Sequence, residues 1–155
     1  ISGGLVGSEM CIRDSTLGQQ ATMLPALDAG LGQFQLALEE LGLSNQVTTF
    51  TISDFGRTLT SNGRGSDHGW GGNAMVMGGA VQGGQLYGHF PEQVEDNPLD
   101  LNRGRFLPTT ATDAMYAEVS RWMGVASESL DSVLPNWANF EGSDQGAGLT
   151  GMLVG

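Results

Sequence analysis

Asp54, Asp67 and His68 stand close together in the sequence. Carboxylate oxygen with imidazole nitrogen is the usual donor set for zinc or manganese where cysteine is missing. Arg57 and Arg64 flank the same stretch. A guanidinium presents a planar fork of N–H donors that grips a tetrahedral oxyanion through two bonds at once. Glycines lie on all sides and would let backbone N–H groups approach such an anion closely. Read alone, these residues admit a metal site or an anion site. They equally admit plainer roles: Asp54 as the cap of a turn after a strand, His68 as a hydrogen-bonded loop histidine, and Arg57 and Arg64 as structural partners of Asp54 and Asp67. Asn62 and Asn73 read as ordinary loop residues, His89 as packing beside Phe90 and Pro91, and Trp122 and Trp137 as core or rim. No Gly-x-Ser-x-Gly elbow, Walker loop or His-Glu-x-x-His pair is present.

These residues have to be held by elements that the apolar pattern predicts. Leu24, Leu27, Leu31, Phe34, Leu38 and Leu41 recur at alternating steps of three and four, so a helix is expected over residues 23–41 with those side chains on its inner face. Gly42 is placed to end it in the left-handed conformation, with Leu43 folding back on Leu38. The uncharged, β-branched run Gln46–Ser53 predicts a strand covered on both faces, as in a parallel sheet, and Asp54 then falls at its carboxyl end, where open α/β sheets bind ligands. A polar loop is expected over residues 56–73, a short strand at 74–77, and irregular chain at 88–104. A helix is predicted at 112–123, with Met115, Val119, Trp122 and Met123 on one face, a capping box at Thr110–Asp113 and Gly124 at its end. A shorter helix fits 128–134, and residues 141–155 read as a flexible glycine-rich tail.

Composition narrows the classes. The chain carries 17 acids against six bases, a net charge of −11, and every base is arginine. Such a surface repels nucleic acid and anionic lipid, so neither is an expected partner. The single cysteine, Cys11, builds neither a disulfide framework nor a thiolate metal site. No apolar run approaches the roughly 20 residues that span a bilayer. Glycine stands out with 25 residues, eleven of them between Gly56 and Gly88, which points to long shaped loops. Residues 1–15 have neither helical nor strand periodicity, and Gly7–Ser15 resembles translated sequencing-adapter DNA, so this stretch is set aside from the fold reading.

Three strings carry a resemblance: Thr51-Ile52-Ser53-Asp54-Phe55-Gly56-Arg57-Thr58, then Gly65-Ser66-Asp67-His68-Gly69-Trp70, then Gly78-Gly79-Ala80-Val81-Gln82-Gly83-Gly84. With Gly104-Arg105-Phe106-Leu107-Pro108-Thr109-Thr110, Arg121-Trp122-Met123-Gly124-Val125 and Leu134-Pro135-Asn136, they resemble the domain-of-unknown-function 1501 family over roughly residues 17–140. The resemblance implies membership of the alkaline phosphatase superfamily: an α/β sandwich with a mixed, mostly parallel sheet, flanking helices and long glycine-rich loops. Residues 16–140 would be the C-terminal part of one such domain. Activity on phosphate or sulfate esters at a divalent metal site (zinc, manganese or calcium) is what the superfamily implies. By the same resemblance Asp54 and His68 are metal ligands with Asp67 the neighbour of His68, and the nucleophile lies upstream of residue 16; the residue chemistry adds Arg57 and Arg64 as anion contacts. Phe55 departs from the pattern, standing where the superfamily usually has a histidine ligand. The parent protein is therefore expected to be an exported, periplasmic or extracellular ester hydrolase, with twin-arginine export implied by the family. A non-catalytic binding or envelope-associated protein on the same fold is the alternative, and a structural fragment with Asp54 and His68 as loop anchors is the third reading.

Overall fold

The computed structural model describes residues 17–63, 65–94, 97–146 and 149–154. It is a mixed structure of helices and two small antiparallel sheets, divided into two compact units. Cys11, Arg64 and the stretch set aside at the start lie outside the described residues.

The first unit comprises Ile1–Gly42, Ser53–Asn73 and Gln93–Leu107. Its helix α1 runs Leu17–Glu40, six residues earlier than the periodicity predicts, so that Pro25 lies inside it rather than near its start. Gly42 ends it at φ 69°, as its position implies. The leucine stripe is not covered as expected: Leu38 is buried, but Leu24, Leu27, Phe34 and Leu41 are exposed.

The expected polar loop contains a β-hairpin, β2 (Arg57–Ser61) and β3 (Ser66–His68), with Arg57 opposite His68 and Ser61 opposite Ser66. Between those pairs the register slips, and a slipped ladder leaves backbone groups to be satisfied elsewhere. Buried Thr58 supplies one solution: its hydroxyl donates to the Thr60 carbonyl at 2.9 Å and accepts from the Asp67 N–H at 3.0 Å. The turn at residues 102–104 supplies the other, since Leu59 N–H donates to Gly104 O and Thr60 N–H to Arg103 O. That turn closes a second small hairpin in which Asp100 bridges Phe106.

The second unit comprises Leu43–Ile52, Ala74–Glu92 and Pro108–Gly155. Strand β1 covers Thr48–Phe50 and pairs antiparallel with β4, Val76–Gly78. The β-branched run thus forms a strand, but a three-residue one in an antiparallel ribbon, where the sequence suggested a longer strand in a parallel sheet. Direction is set by the partner, which lies 30 positions away at Thr48↔Gly78 and leaves no local signal.

Helix α2 spans Thr112–Trp122, close to prediction. The expected capping box is replaced by an Ala111 N-cap that makes no side-chain bond. At the other end Gly124 N–H donates to Arg121 O and Val125 N–H to Ser120 O, the paired bonds of a Schellman motif, with Gly124 at φ 94°. Helix α3, Leu130–Val133, follows a 3-10 turn at Ser127–Ser129. Ala114, Met115, Ala117, Leu130 and Trp137 form the core of this unit, and Leu149 and Met152 complete it. The last two belong to the stretch read as a flexible tail; among its described residues, Leu153 also bridges Val81. Met123, expected on the inner face of α2, is exposed.

Candidate functional site

All the described candidate residues of the first unit gather on or beside the β2–β3 hairpin. Its base is a backbone contact. Gly56 N–H donates to Trp70 O, Gly69 N–H to Gly56 O, and Gly71 N–H to Phe106 O. A Cβ on Gly56 would lie 1.7 Å from the Gly71 carbonyl oxygen, so the strings around Asp54 and His68 are locked together through glycine.

From this base β3 presents Asp67 and His68 in succession. Asp67 is half-buried and both of its carboxylate oxygens are engaged: Oδ1 accepts from Asn62 Nδ2 at 2.8 Å, and Oδ2 from Arg103 Nη1 at 2.7 Å. The Asn62 amide bond is the main reason this carboxyl is held below the usual carboxylate range, and the Arg103 guanidinium adds to it against the opposing effect of burial. A group with a lowered folded-state pKa adds stability that is complete above its unfolded value and is lost as pH falls through the folded value. The stability that Asp67 contributes should therefore be complete above about pH 4, the ordinary aspartate range, and be lost as pH falls below it, and Asp67→Asn should remove that part of the acid dependence. Carboxyl NMR titration with acid-unfolding curves checks both; an unshifted Asp67 and an unchanged acid limb would contradict it.

Arg103 is reached through strain. Asn102 and Arg103 have φ of 88° and 62°, unusual for side-chain-bearing residues, and Gly104 follows at 71°. This run of left-handed residues aims Arg103 at Asp67 and brings the next residue, Arg105, to His68, whose carbonyl accepts from Arg105 Nε at 3.3 Å. Across the hairpin Arg57 donates to Ser66 O at 3.0 Å. The His68 ring stacks on Phe55, with centroids 4.1 Å apart and 22° between planes, and the Arg57 guanidinium lies 5.5 Å from the Phe55 centroid.

Asp67, His68 and Arg57 are thus brought together as expected. Asp54 sits just before Phe55, exposed, and makes no ion pair with the described residues. Among the described residues Arg57 makes no bridge to Asp54 or Asp67, and Asp67 pairs with Arg103; Arg64 lies outside the described residues. Arg103, Arg105 and Asn62 were not among the sequence candidates. Arg105 does stand in one of the motif strings, Gly104-Arg105-Phe106, but nothing local showed where that string would dock. His89 lies in the second unit, where its carbonyl accepts from Thr109.

The donor set can be tested against a metal. No three of the described His, Cys, Asp and Glu residues gather closely enough to hold one. Asp67 already accepts one hydrogen bond on each oxygen, so its carboxylate is oriented toward Asn62 and Arg103, while His68 and Asp54 carry no such tie through their side chains among the described residues. As arranged, the described residues do not complete a metal centre.

The site is an acid–imidazole pair on a glycine-packed hairpin bordered by arginines. Residues 14–134 match the family model described as a protein of unknown function (DUF1501), and the chain belongs to that family. Comparison with curated proteins and with solved structures gives no match. No helix among the described residues is long and apolar enough to cross a membrane.

Proposed function

We propose that the β2–β3 hairpin is the oxyanion-facing part of an alkaline-phosphatase-like protein, an exported hydrolase of phosphate or sulfate esters. The observation that carries this is the placing of charge. The chain has six bases against 17 acids, yet Arg57, Arg103 and Arg105 all border Asp67 and His68. Gathering half of the basic residues around one hairpin of an acidic chain makes a local attractive field for an anion. Arg57 and Arg105 each spend one N–H on a backbone carbonyl, which orients the guanidinium and leaves further donors for an ester oxygen. A divalent metal (zinc, manganese or calcium) would supply Lewis-acid activation in this reading, and Asp54 and His68 would hold it only together with donors from outside the described residues. In the fold that accompanies this reading, the small antiparallel ribbons are parts of a mixed, mostly parallel sandwich.

The second reading is a non-catalytic anion-binding or envelope-associated protein on the same fold. Phe55 favours it, because phenylalanine cannot ligate a metal where the superfamily usually has a histidine, and so does Asp67, whose two oxygens are already tied to Asn62 and Arg103.

One set of measurements separates the two. The parent protein is chelated, reconstituted with zinc, manganese or calcium, and assayed for metal content and for hydrolysis of aryl phosphate and aryl sulfate. Arg57→Ala and Arg105→Ala are titrated with inorganic phosphate and sulfate. Loss of one charge-assisted contact should weaken anion binding by about 1.5–3 kcal/mol, roughly ten- to a hundredfold. Stoichiometric metal lost in Asp54→Ala and His68→Ala, with turnover, supports the hydrolase. Anion binding without metal or turnover leaves the second reading, and unchanged anion binding in both arginine variants removes both.

A further inference from the structure

Asn62-Gly63 is the one Asn-Gly pair in the sequence, and it forms the exposed turn between β2 and β3. We infer that Asn62 is a deamidation site whose chemistry is held in check by the native hairpin and released when the hairpin opens. An asparagine followed by glycine is predisposed to this reaction because no side chain shields the next backbone nitrogen. The Gly63 nitrogen loses its proton and bonds to Asn62 Cγ. The Cγ–Nδ2 bond breaks, and ammonia leaves carrying a proton from solvent. One water then opens the succinimide ring at either carbonyl, which leaves an aspartyl or isoaspartyl residue at position 62. No oxidant, reductant or enzyme is needed, only water.

The native geometry opposes the first step from both ends of the amide. Asn62 Nδ2 donates to Asp67 Oδ1 at 2.8 Å and its Oδ1 accepts from Gly65 N–H at 2.8 Å, so the side chain is clamped across the turn. The attacking nitrogen is engaged too, since Gly63 N–H donates to Ser61 Oγ at 3.1 Å. Attack therefore requires local opening in which several hydrogen bonds are lost together. The product also differs from the substrate in what it does to the site. The amide that donated to Asp67 becomes a carboxylate facing another carboxylate, so the contact turns from attractive to repulsive. The modification is thus a one-way loosening of the strand that carries Asp67 and His68, coupled to how often that strand opens.

Cleavage after Arg57 and Arg64 isolates residues 58–64, and mass spectrometry with isoaspartyl detection follows this peptide with time at mildly alkaline pH. The chain is incubated in native buffer and in concentrated urea. The peptide should convert at least about tenfold more slowly in native buffer, as expected when hydrogen bonds must open first. Asp67→Ala, checked by circular dichroism to be folded, should speed the native reaction severalfold, whereas Asp67→Asn, which keeps the accepting oxygen, should stay slow. Gly63→Ala in urea should lose the fast conversion, a result independent of folding. Equal rates in buffer and urea, no conversion in urea, or equal native rates for Asp67→Ala and Asp67→Asn would each overturn the inference.

Discussion

Gly56→Ala should destabilise the first unit by about 3 kcal/mol or more, at the upper end of what overpacking causes. The added methyl would have to occupy a position 1.7 Å from the Gly71 carbonyl oxygen and 2.6 Å from its carbon, both backbone atoms that cannot swing aside. Relief requires the two segments to separate, and that breaks the bonds Gly56 makes with Trp70 and Gly69. The same separation draws Phe55 and Arg57 away from His68, so anion binding should fall with stability. Gly32→Ala is the matched control: it lies in helix α1 with nothing within 4 Å of the added carbon. That substitution should be neutral or stabilising by up to about 1 kcal/mol, from helix propensity alone. Urea unfolding of both variants, followed by far-ultraviolet circular dichroism, decides the matter. Equal midpoints for the two would mean that the Gly56 contact is not as close as described.

Trp137→Ala should cost the second unit about 3–5 kcal/mol, the range for deleting a buried indole. Trp137 is 4% exposed and packs in the cluster with Met115, Leu130, Leu149 and Met152. The Arg121 guanidinium lies 5.5 Å from its ring centroid and is anchored by Glu118 at 2.6 Å. Its indole N–H is buried without a hydrogen-bond partner among the described residues, a cost the native state already carries. Trp137→Phe removes that unpaired donor while keeping an aromatic face for Arg121, so its loss should be near about 1 kcal/mol. A Phe variant as unstable as the Ala variant would show that the N–H has a partner after all, and that the packing argument is incomplete.

How far the site was legible follows from where its contacts come from. Asp67, His68 and Arg57 were legible because their types and crowding by glycine mark them without knowledge of the fold. The β2–β3 hairpin was not, because Arg57–Ser61 alternates without an apolar face and is satisfied by a buried threonine and a distant turn. Asp67's ionic partner, Arg103, is 36 residues away on a turn of left-handed residues, a conformation no local pattern announces. Asn62 passed as an ordinary loop residue until the hairpin brought its amide to Asp67.

By itself the amino-acid sequence determined what short-range physics can decide. It set helix α2 and its glycine stop, the Gly42 end of α1, the extended character of residues 48–50 and 76–77, and an acidic chain with chemistry-bearing residues at 54–68. These depend on dihedral preference, hydrophobic period and charge, all of which act over a few residues. Tertiary structure alone decided that the two short strands of the second unit run antiparallel and that Leu149 and Met152 are core rather than tail. It also decided that three arginines converge on one acid–imidazole pair. Those outcomes rest on contacts between residues far apart in sequence, whose energies arise only after the chain has closed its loops.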